Sequence, residues 1–539
     1  MWNSVEFPGI HTDEGHYVRR GLYVSEGLGA QEQSSRYDHP YFGWLFLGNI
    51  FSIIGYPDSL SPRLGDVSSI EAVWSVPRIL VGLLAVVDTF LIYKIVETRY
   101  NRKVAFIAAV LFAVMPYSWL TRRVLLESIQ LPFILLSIFF AVLYVTNISK
   151  NRNRIFNTNR NQNYNQNHIR NTTNYGNNNN NNKNILLIFI SGIFLGIAIF
   201  TKIPAFTFIP VVGFLVYIAG RSKQENDNGT RKNNNNNNII NNKKYSKKNG
   251  LKSLSLWFIP VILIPLIWPA YAISVGQYED WVEGINFQIT RDSKPLLDNI
   301  MEFYSTDPVL LILGIVGVGY CAVIKRELLF LIWIVPFLIF LYTIDYVSSF
   351  FLIPLIPPLC IAPAVMITDL SNRIIKNRKR IKQLLPFGIV SAIAIFGLIN
   401  TTALIIKSEN SNYLEVAAAV TKQLPTGIST QDGSTPSDDD QMTVIGNPRF
   451  YWILQYVFDK PNYSYKTQYN LINIHALERI LEGSEKVIMI ADRGIMEIVR
   501  NEKQPDNAKA QLRAERLSEI YFNTELEDKI GRVEIRTNY

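Results

Sequence analysis

Long apolar runs separated by short basic segments limit what this chain can fold into. Runs near 76–97, 103–119, 128–147, 185–201, 204–220, 254–274, 308–324, 327–344, 348–368 and 384–406 contain few charges. About 20 apolar residues suffice for a helix to cross the hydrocarbon core, so the pattern predicts a polytopic α-helical membrane protein with about ten spans. The stretch 40–56, "PYFGWLFLGNIFSIIGY", is shorter and rich in glycine and aromatic residues. It suits a helix lying in the membrane interface.

The net charge of +9 matters less than where the positive residues sit. "TRYNRK" (98–103), the inserts 148–184 and 221–253, "KR" (325–326) and "NRIIKNRKRIK" (372–382) are all basic. Alternating spans put every one of them on one side, the cytoplasm. The other side receives the start of the chain, the turn near Glu127, the loop 275–306 and everything after 406. Asp13 then lies outside with no span before it. The expectation is that a first helix is missing, the alternative being unaided translocation of the N-terminus.

Both inserts are Asn-rich and of low complexity, with almost nothing to bury, so they are expected to be disordered loops. Tolerated loop expansion is the expected explanation, with binding of anionic lipid by their Lys and Arg the alternative. Cys321 and Cys360 both lie in apolar runs and read as packing residues, with no disulfide or cysteine metal site. Three regions result. Residues 1–75 form a first outer loop with interfacial helices. Residues 76–406 form the spanning domain. Residues 407–539 form a small outer α/β domain, in which "YLEVAAAVTKQL" and "IHALERILE" read as helices and "MTVIGN", "KVIMIAD" and "RVEIRT" as strands. Nothing in the chain points to a nucleic-acid partner.

Charges collect at the outer ends of the spans. Asp13 and Glu14 stand side by side in "HTDEGHYVRRG". Arg78 opens the first span, Arg122, Arg123 and Glu127 occupy the next outer turn, Lys202 the one after, and Arg291 the loop that follows. Acids and bases gathered at one membrane face suit a site where an anionic, membrane-bound substrate meets a second substrate. The alternatives are plain: helix-end charges mark the interface, and Lys202 can snorkel. Asp88 lies mid-span, where an acid costs about 2.5–3.5 kcal/mol, so it is expected to face the bundle interior, in a structural or a functional role. His16 and His39 with Glu14 match no established metal signature.

The segments "DEGHY", "YDHPYFGWLF", "VPRILVGLLAVVDTFLIYKIV", "RRVLLESIQLPFILLSIFF", "SGIFLGIAIFTKIPAFTFIP" and "SSFFLIPLIPPLCIAPAV" follow one another in a recognisable order. In order and sense they resemble the GT-C integral-membrane glycosyltransferases. The nearest branch holds the dolichyl-phosphate-mannose protein mannosyltransferases and the aminoarabinose transferase of lipid A. The resemblance covers roughly residues 10–370 and implies a GT-C-like fold whose first helix is absent here. It implies a sugar donor carried on a polyprenyl phosphate and a protein, lipid or glycan acceptor. It also implies a catalytic acid at Asp13 with Glu14 beside it, and phosphate contacts from Arg78, Lys202 and Arg122, Arg123 or Arg291. His39 and Glu127 would position the acceptor or a cation. Tyr41 stands where the family's pattern usually has a second proline. No cofactor is required, and a divalent cation is compatible. A one-step attack would invert the anomeric centre. The expected location is the plasma membrane, with the active site outside. A secondary transporter using Asp88, or a non-catalytic receptor using 407–539, are the rival readings. No internal repeat favours the transporter.

Overall fold

The computed structural model describes residues 3–31, 37–162, 173–221, 247–290, 295–344, 346–374, 379–423, 442–446, 453–454, 467–470, 474–482, 486–500 and 508–539. Arg291 and most of the 221–253 insert lie outside them.

Two helices precede the first span: α1 (Thr12–Ser25) and α2 (Phe42–Ile54). They pack on each other. Gly21 and Gly48 permit this, since a Cβ on Gly48 would come within 2.6 Å of the Gly21 carbonyl oxygen. A long helix α3 (Val67–Arg99) follows, capped by Asp66, whose carboxylate accepts from Ser68 N at 3.2 Å. Next come α4 (Arg102–Val114), α5 (Leu126–Gln162), α6 (Thr173–Thr201), α7 (Ile209–Gly220), α8 (Lys247–Leu263) and α9 (Ile267–Ser274). An outer pair, α10 (Tyr278–Ile289) and α11 (Leu296–Thr306), leads to α12 (Pro308–Val323), α13 (Leu329–Thr343), α14 (Ile356–Ile374) and α15 (Lys379–Ile405).

Every expected span is helical, but their number is corrected. Among the described residues, seven helices are long and apolar enough to cross a membrane, or nine if two bent pairs each count as one. The expected 103–119 span bends by 73° between Arg102–Val114 and the 3₁₀ turn Pro116–Arg122, where Pro116 has no N–H to continue the helix. The expected 327–344 span is the shorter helix Leu329–Thr343. Helix continues into the Asn-rich insert 148–184 from both sides, to Gln162 and from Thr173. Extending an existing helix costs far less than nucleating one.

The apolar spacing explains the packing. The central spanning window within Ser349–Ile374 is wholly buried, and α14 packs on α4 and α12. Small residues set the closest approaches. On α6, Gly192 and Gly196 lie four apart and face α8. A Cβ on Gly196 would meet the Pro260 carbonyl oxygen at 2.6 Å, a small-xxx-small seam.

After α15 comes α16 (Ser411–Gln423) and a five-stranded sheet built from β1 (Met442–Ile445), β2 (Thr467–Asn470), β3 (Lys486–Ala491), β4 (Glu525–Ile530) and β5 (Val533–Thr537). Strand order is β2-β1-β3-β5-β4, with β1 parallel to β2 and β3, and β5 antiparallel to β3 and β4. Alternation along β3 splits its side chains between two cores. Val487 and Met489 join Leu477, Leu517 and Ile520, whereas Ile488 and Ile490 join the main core. Strands β1, β3 and β5 are the three that the sequence predicts. Strand β4, "ELEDKI", is an exposed edge with no apolar alternation to reveal it.

Candidate functional site

The site begins with the cap of α1. His11 has extended backbone, its Nδ1 accepts from Asp13 N at 3.2 Å, and Glu14 reaches back to accept from His11 N at 3.1 Å. This is a reciprocal capping box, with histidine in the place where serine or threonine is usual. Glu14 then accepts three more bonds. Arg78 grips it bidentately, Nε to Oε2 at 3.1 Å and Nη2 to Oε1 at 2.9 Å, and Val124 N donates to Oε2 at 3.2 Å. Arg78 Nη1 goes to the Ser4 carbonyl at 3.0 Å. Glu14 is 0% exposed and Arg78 2%. Burial pushes the Glu14 carboxyl up, but Arg78, Arg123 and the hydrogen bonds outweigh it and hold it below its ordinary 4.5.

These contacts bear on two of the candidate residues. Glu14, a candidate base, has both oxygens filled by donors. Arg78, a candidate phosphate ligand, has Nε, Nη1 and Nη2 engaged within the protein. Asp13 lies one residue away and points elsewhere, because successive helical residues lie about 100° apart. Its side chain is 31% exposed, and its only charged neighbour within 4 Å among the described residues is His11, at 3.9 Å.

Asp13 lies close enough to groups from distant elements to act on their charge. It acts electrostatically on His16, His39 and Glu127. Glu127, at the start of α5, is ion-paired through Oε1 to Lys202 Nζ, and both are buried. Its Oε2 is buried with no partner among the described residues. The Lys202 ammonium also stands 4.2 Å from the Phe351 ring centroid. Gln130, one helical turn beyond Glu127, donates to the Ala198 and Lys202 carbonyls at 2.8 and 2.5 Å, fixing the turn that carries Lys202.

A third pair joins α1 to the His-Pro segment. Arg20 Nη1 meets Asp38 Oδ1 at 2.8 Å, and the guanidinium lies 4.7 Å over Trp44. Sequence reasoning missed Arg20, Asp38 and Gln130. The signal was available: Asp13, Tyr17 and Arg20 follow helical spacing, but residues 12–25 were not read as a helix. His39, half-buried beside Asp38, is pushed down to about 3 by burial, with Lys202 and Arg20 adding to the shift. His16 is pushed down to about 4 by burial and by Arg19 and Arg20. Both imidazoles are neutral at pH 7.

The tandem arginines divide. Arg123 Nη2 donates to the Gly9 carbonyl at 3.2 Å and its guanidinium lies 4.9 Å over Trp119. Arg122 turns to a separate cavity. The segment before Asp13 is tied down from the far end of the chain: Asn410 accepts from Ile10 N at 2.8 Å and donates to Val5 O and Pro8 O at 2.7 and 2.9 Å. Asp88 is buried in α3, and neither carboxyl oxygen has a partner among the described residues. Cys321 and Cys360 are buried and free. No group of three or more His, Cys, Asp or Glu among the described residues is arranged to hold a metal.

No family model matches this chain, and no curated protein matches it in sequence. Solved structures do. ArnT from Cupriavidus metallidurans in the apo state covers 99% of this chain and 95% of its own, at 10% identity and a TM-score of 0.56. The same protein bound to undecaprenyl phosphate matches over the same shares at 9% identity and 0.56. The Archaeoglobus fulgidus oligosaccharyltransferase in the apo form covers 92% of this chain and 68% of its own, at 14% identity and 0.47. At such identities the ArnT likeness is one of fold alone.

Two outcomes follow from this geometry. Glu14→Ala leaves a buried guanidinium without its counter-charge and should cost about 3–5 kcal/mol, read as a lower unfolding midpoint in detergent. Acid should also destabilise the protein. His16 and His39 have native values near 4 and 3 against 6.5, and Asp38 is held at about 2 against 3.8. In each case the unfolded chain takes up protons first as pH falls. Stability present at pH 7 is thus lost below pH 6.5 through the imidazoles, and below 3.8 through Asp38. The midpoint should fall between pH 7 and pH 4.5, and less steeply in His39→Gln; a rise on acidification would contradict the buried neutral imidazoles.

Proposed function

We propose that this protein transfers a sugar from a polyprenyl-phosphate donor to an acceptor at the outer membrane face. The observation that carries the reading is the division of labour between the adjacent acids. Glu14 is saturated by donors. Asp13 remains partly exposed, and its charge acts on Glu127, His16 and His39, with Lys202 ion-paired to Glu127. The GT-C fold supports the same reading, as does undecaprenyl phosphate bound to one protein that shares it.

In the proposed reaction the acceptor hydroxyl or amide attacks the anomeric carbon while Asp13 takes its proton. General-base assistance of this kind contributes about 10²–10⁴-fold. The bond to the donor oxygen breaks, and polyprenyl phosphate leaves with the electron pair. Lys202 is the cation placed to stabilise it, sharing its ammonium between Glu127 and the phosphate. Arg291 is a further candidate in the outer loop. Glu127 Oε2 is free to orient the acceptor, and the neutral imidazole of His39 can donate or accept without adding charge. A single displacement inverts the anomeric centre. The acceptor class and the sugar stay open within this proposal, as does placement in the plasma membrane with 407–539 outside.

Membranes carrying the wild-type chain, given labelled polyprenyl-phosphate sugars, should label a lipid or protein fraction. Asp13→Asn, inserted equally well, should lower transfer about 10²–10⁴-fold. Equal transfer by both would remove Asp13 as the base and move attention to Glu127. The product from a donor of known anomeric form should show the opposite configuration by NMR; retention would sink the one-step displacement.

A further inference from the structure

Arg122 ends the 3₁₀ turn Pro116–Arg122 and lines a cavity of about 160 Å³ enclosed by α3, α4, α15 and the N-terminal segment. Among the described residues it makes no hydrogen bond or ion pair, while its neighbour Arg123 is held by Gly9 and Trp119. A guanidinium that is partly withdrawn from water and lacks an anion is costly to keep. Ser118 and Trp119 line the same cavity, and the Ser118 hydroxyl and the Trp119 indole N–H are also without partners among the described residues. Three threonine hydroxyls that line it are engaged: Thr89, Thr121 and Thr401 each donate to a backbone carbonyl.

The remaining wall is apolar. Gly82, Ala85 and Val86 of α3 form one side, facing Phe112 and Ile405. This wall continues onto the outside of the bundle, where Val86 is 62% exposed and Phe90 60%. A cation and two unused hydrogen-bond donors therefore sit at the head of an apolar groove that opens toward lipid. Arg78 lines the cavity as well, but its guanidinium belongs to Glu14 and Ser4. Arg78 thus borders this cavity while it holds Glu14.

We propose that this cavity binds the phosphate head of an anionic membrane phospholipid, Arg122 supplying the counter-charge and one acyl chain lying along Gly82, Ala85 and Val86. The site is distinct from the one that would take the donor, and it does not depend on the transferase reading. A planar guanidinium can bind the phosphodiester of either class, but choline brings a second cation beside Arg122, so an acidic lipid should be preferred over a zwitterionic one.

The test is native mass spectrometry of the full chain in mild detergent, titrated with phosphatidylglycerol or phosphatidylcholine. Wild type should bind phosphatidylglycerol about tenfold more tightly, because the choline ammonium would stand beside an uncompensated guanidinium. Arg122→Gln should lose that preference and Arg122→Lys should keep most of it. Ala85→Leu should weaken binding with the charge in place, by filling the groove. Equal binding of both lipids by wild type, or an unchanged preference in a folded Arg122→Gln, would overturn the proposal. So would one-for-one displacement of phosphatidylglycerol by a short polyprenyl phosphate that Arg122→Gln abolishes, because the cavity would then be the donor's. None of these readouts involves sugar transfer, so a failed transferase assay leaves the lipid result standing.

Discussion

The Glu14 carboxylate is the point on which the rest of this structure turns. It closes the cap of α1, receives two nitrogens of Arg78 from α3 and takes the Val124 N–H at the head of α5. Three elements meet on one buried ion. Such a pair adds little net stability compared with apolar packing of the same shape, because both charges lose their hydration. Its effect is geometric. With four donors around it the carboxylate has one arrangement, and the helix that carries Asp13 is held at one angle against the bundle.

The other two pairs extend that frame. Lys202–Glu127 locks the turn after α6 to the start of α5, and Arg20–Asp38 locks α1 to the segment before α2. Gly43 and Gly284 let backbone close in around them. A Cβ on Gly43 would strike Leu126, and one on Gly284 would strike the Tyr37 carbonyl. The charges of Glu14, Glu127 and Asp38 near Asp13 are thus compensated within the protein. In a low-dielectric environment that arrangement matters, since an uncompensated neighbour would shift the ionisation of everything near it.

The link from α15 into α16 takes part in the same architecture. Asn410 and Glu409 bond the backbone of residues 5–10, immediately before the cap of α1. Gly65, which leads into α3, bonds Thr421 of α16. Residues 409–421 thus brace the N-terminal segment and the entry to α3. The cavity at Arg122 is bordered by Arg78 of the Glu14–Arg78 pair.

Much of this was legible in the sequence. Apolar runs fixed where helices cross, and alternation located three of the five strands, because burial of a span or a strand is a local property of consecutive residues. The gathering of Asp13, Glu14, Arg78, Glu127 and Lys202 at one face followed from the same counting. What the sequence could not assign was role. Glu14 and Arg78 lie 64 residues apart, and Lys202 and Glu127 75 apart. Which acid is saturated and which left open depends on contacts between them that no local pattern encodes. Arg122 and Arg123 are identical in kind and adjacent in sequence. Only the turn that ends the bent pair sends one to Gly9 and Trp119 and the other into a cavity. Local periodicity determined the elements and the face they share; the tertiary structure decided which charges are bound to one another there and which remain free.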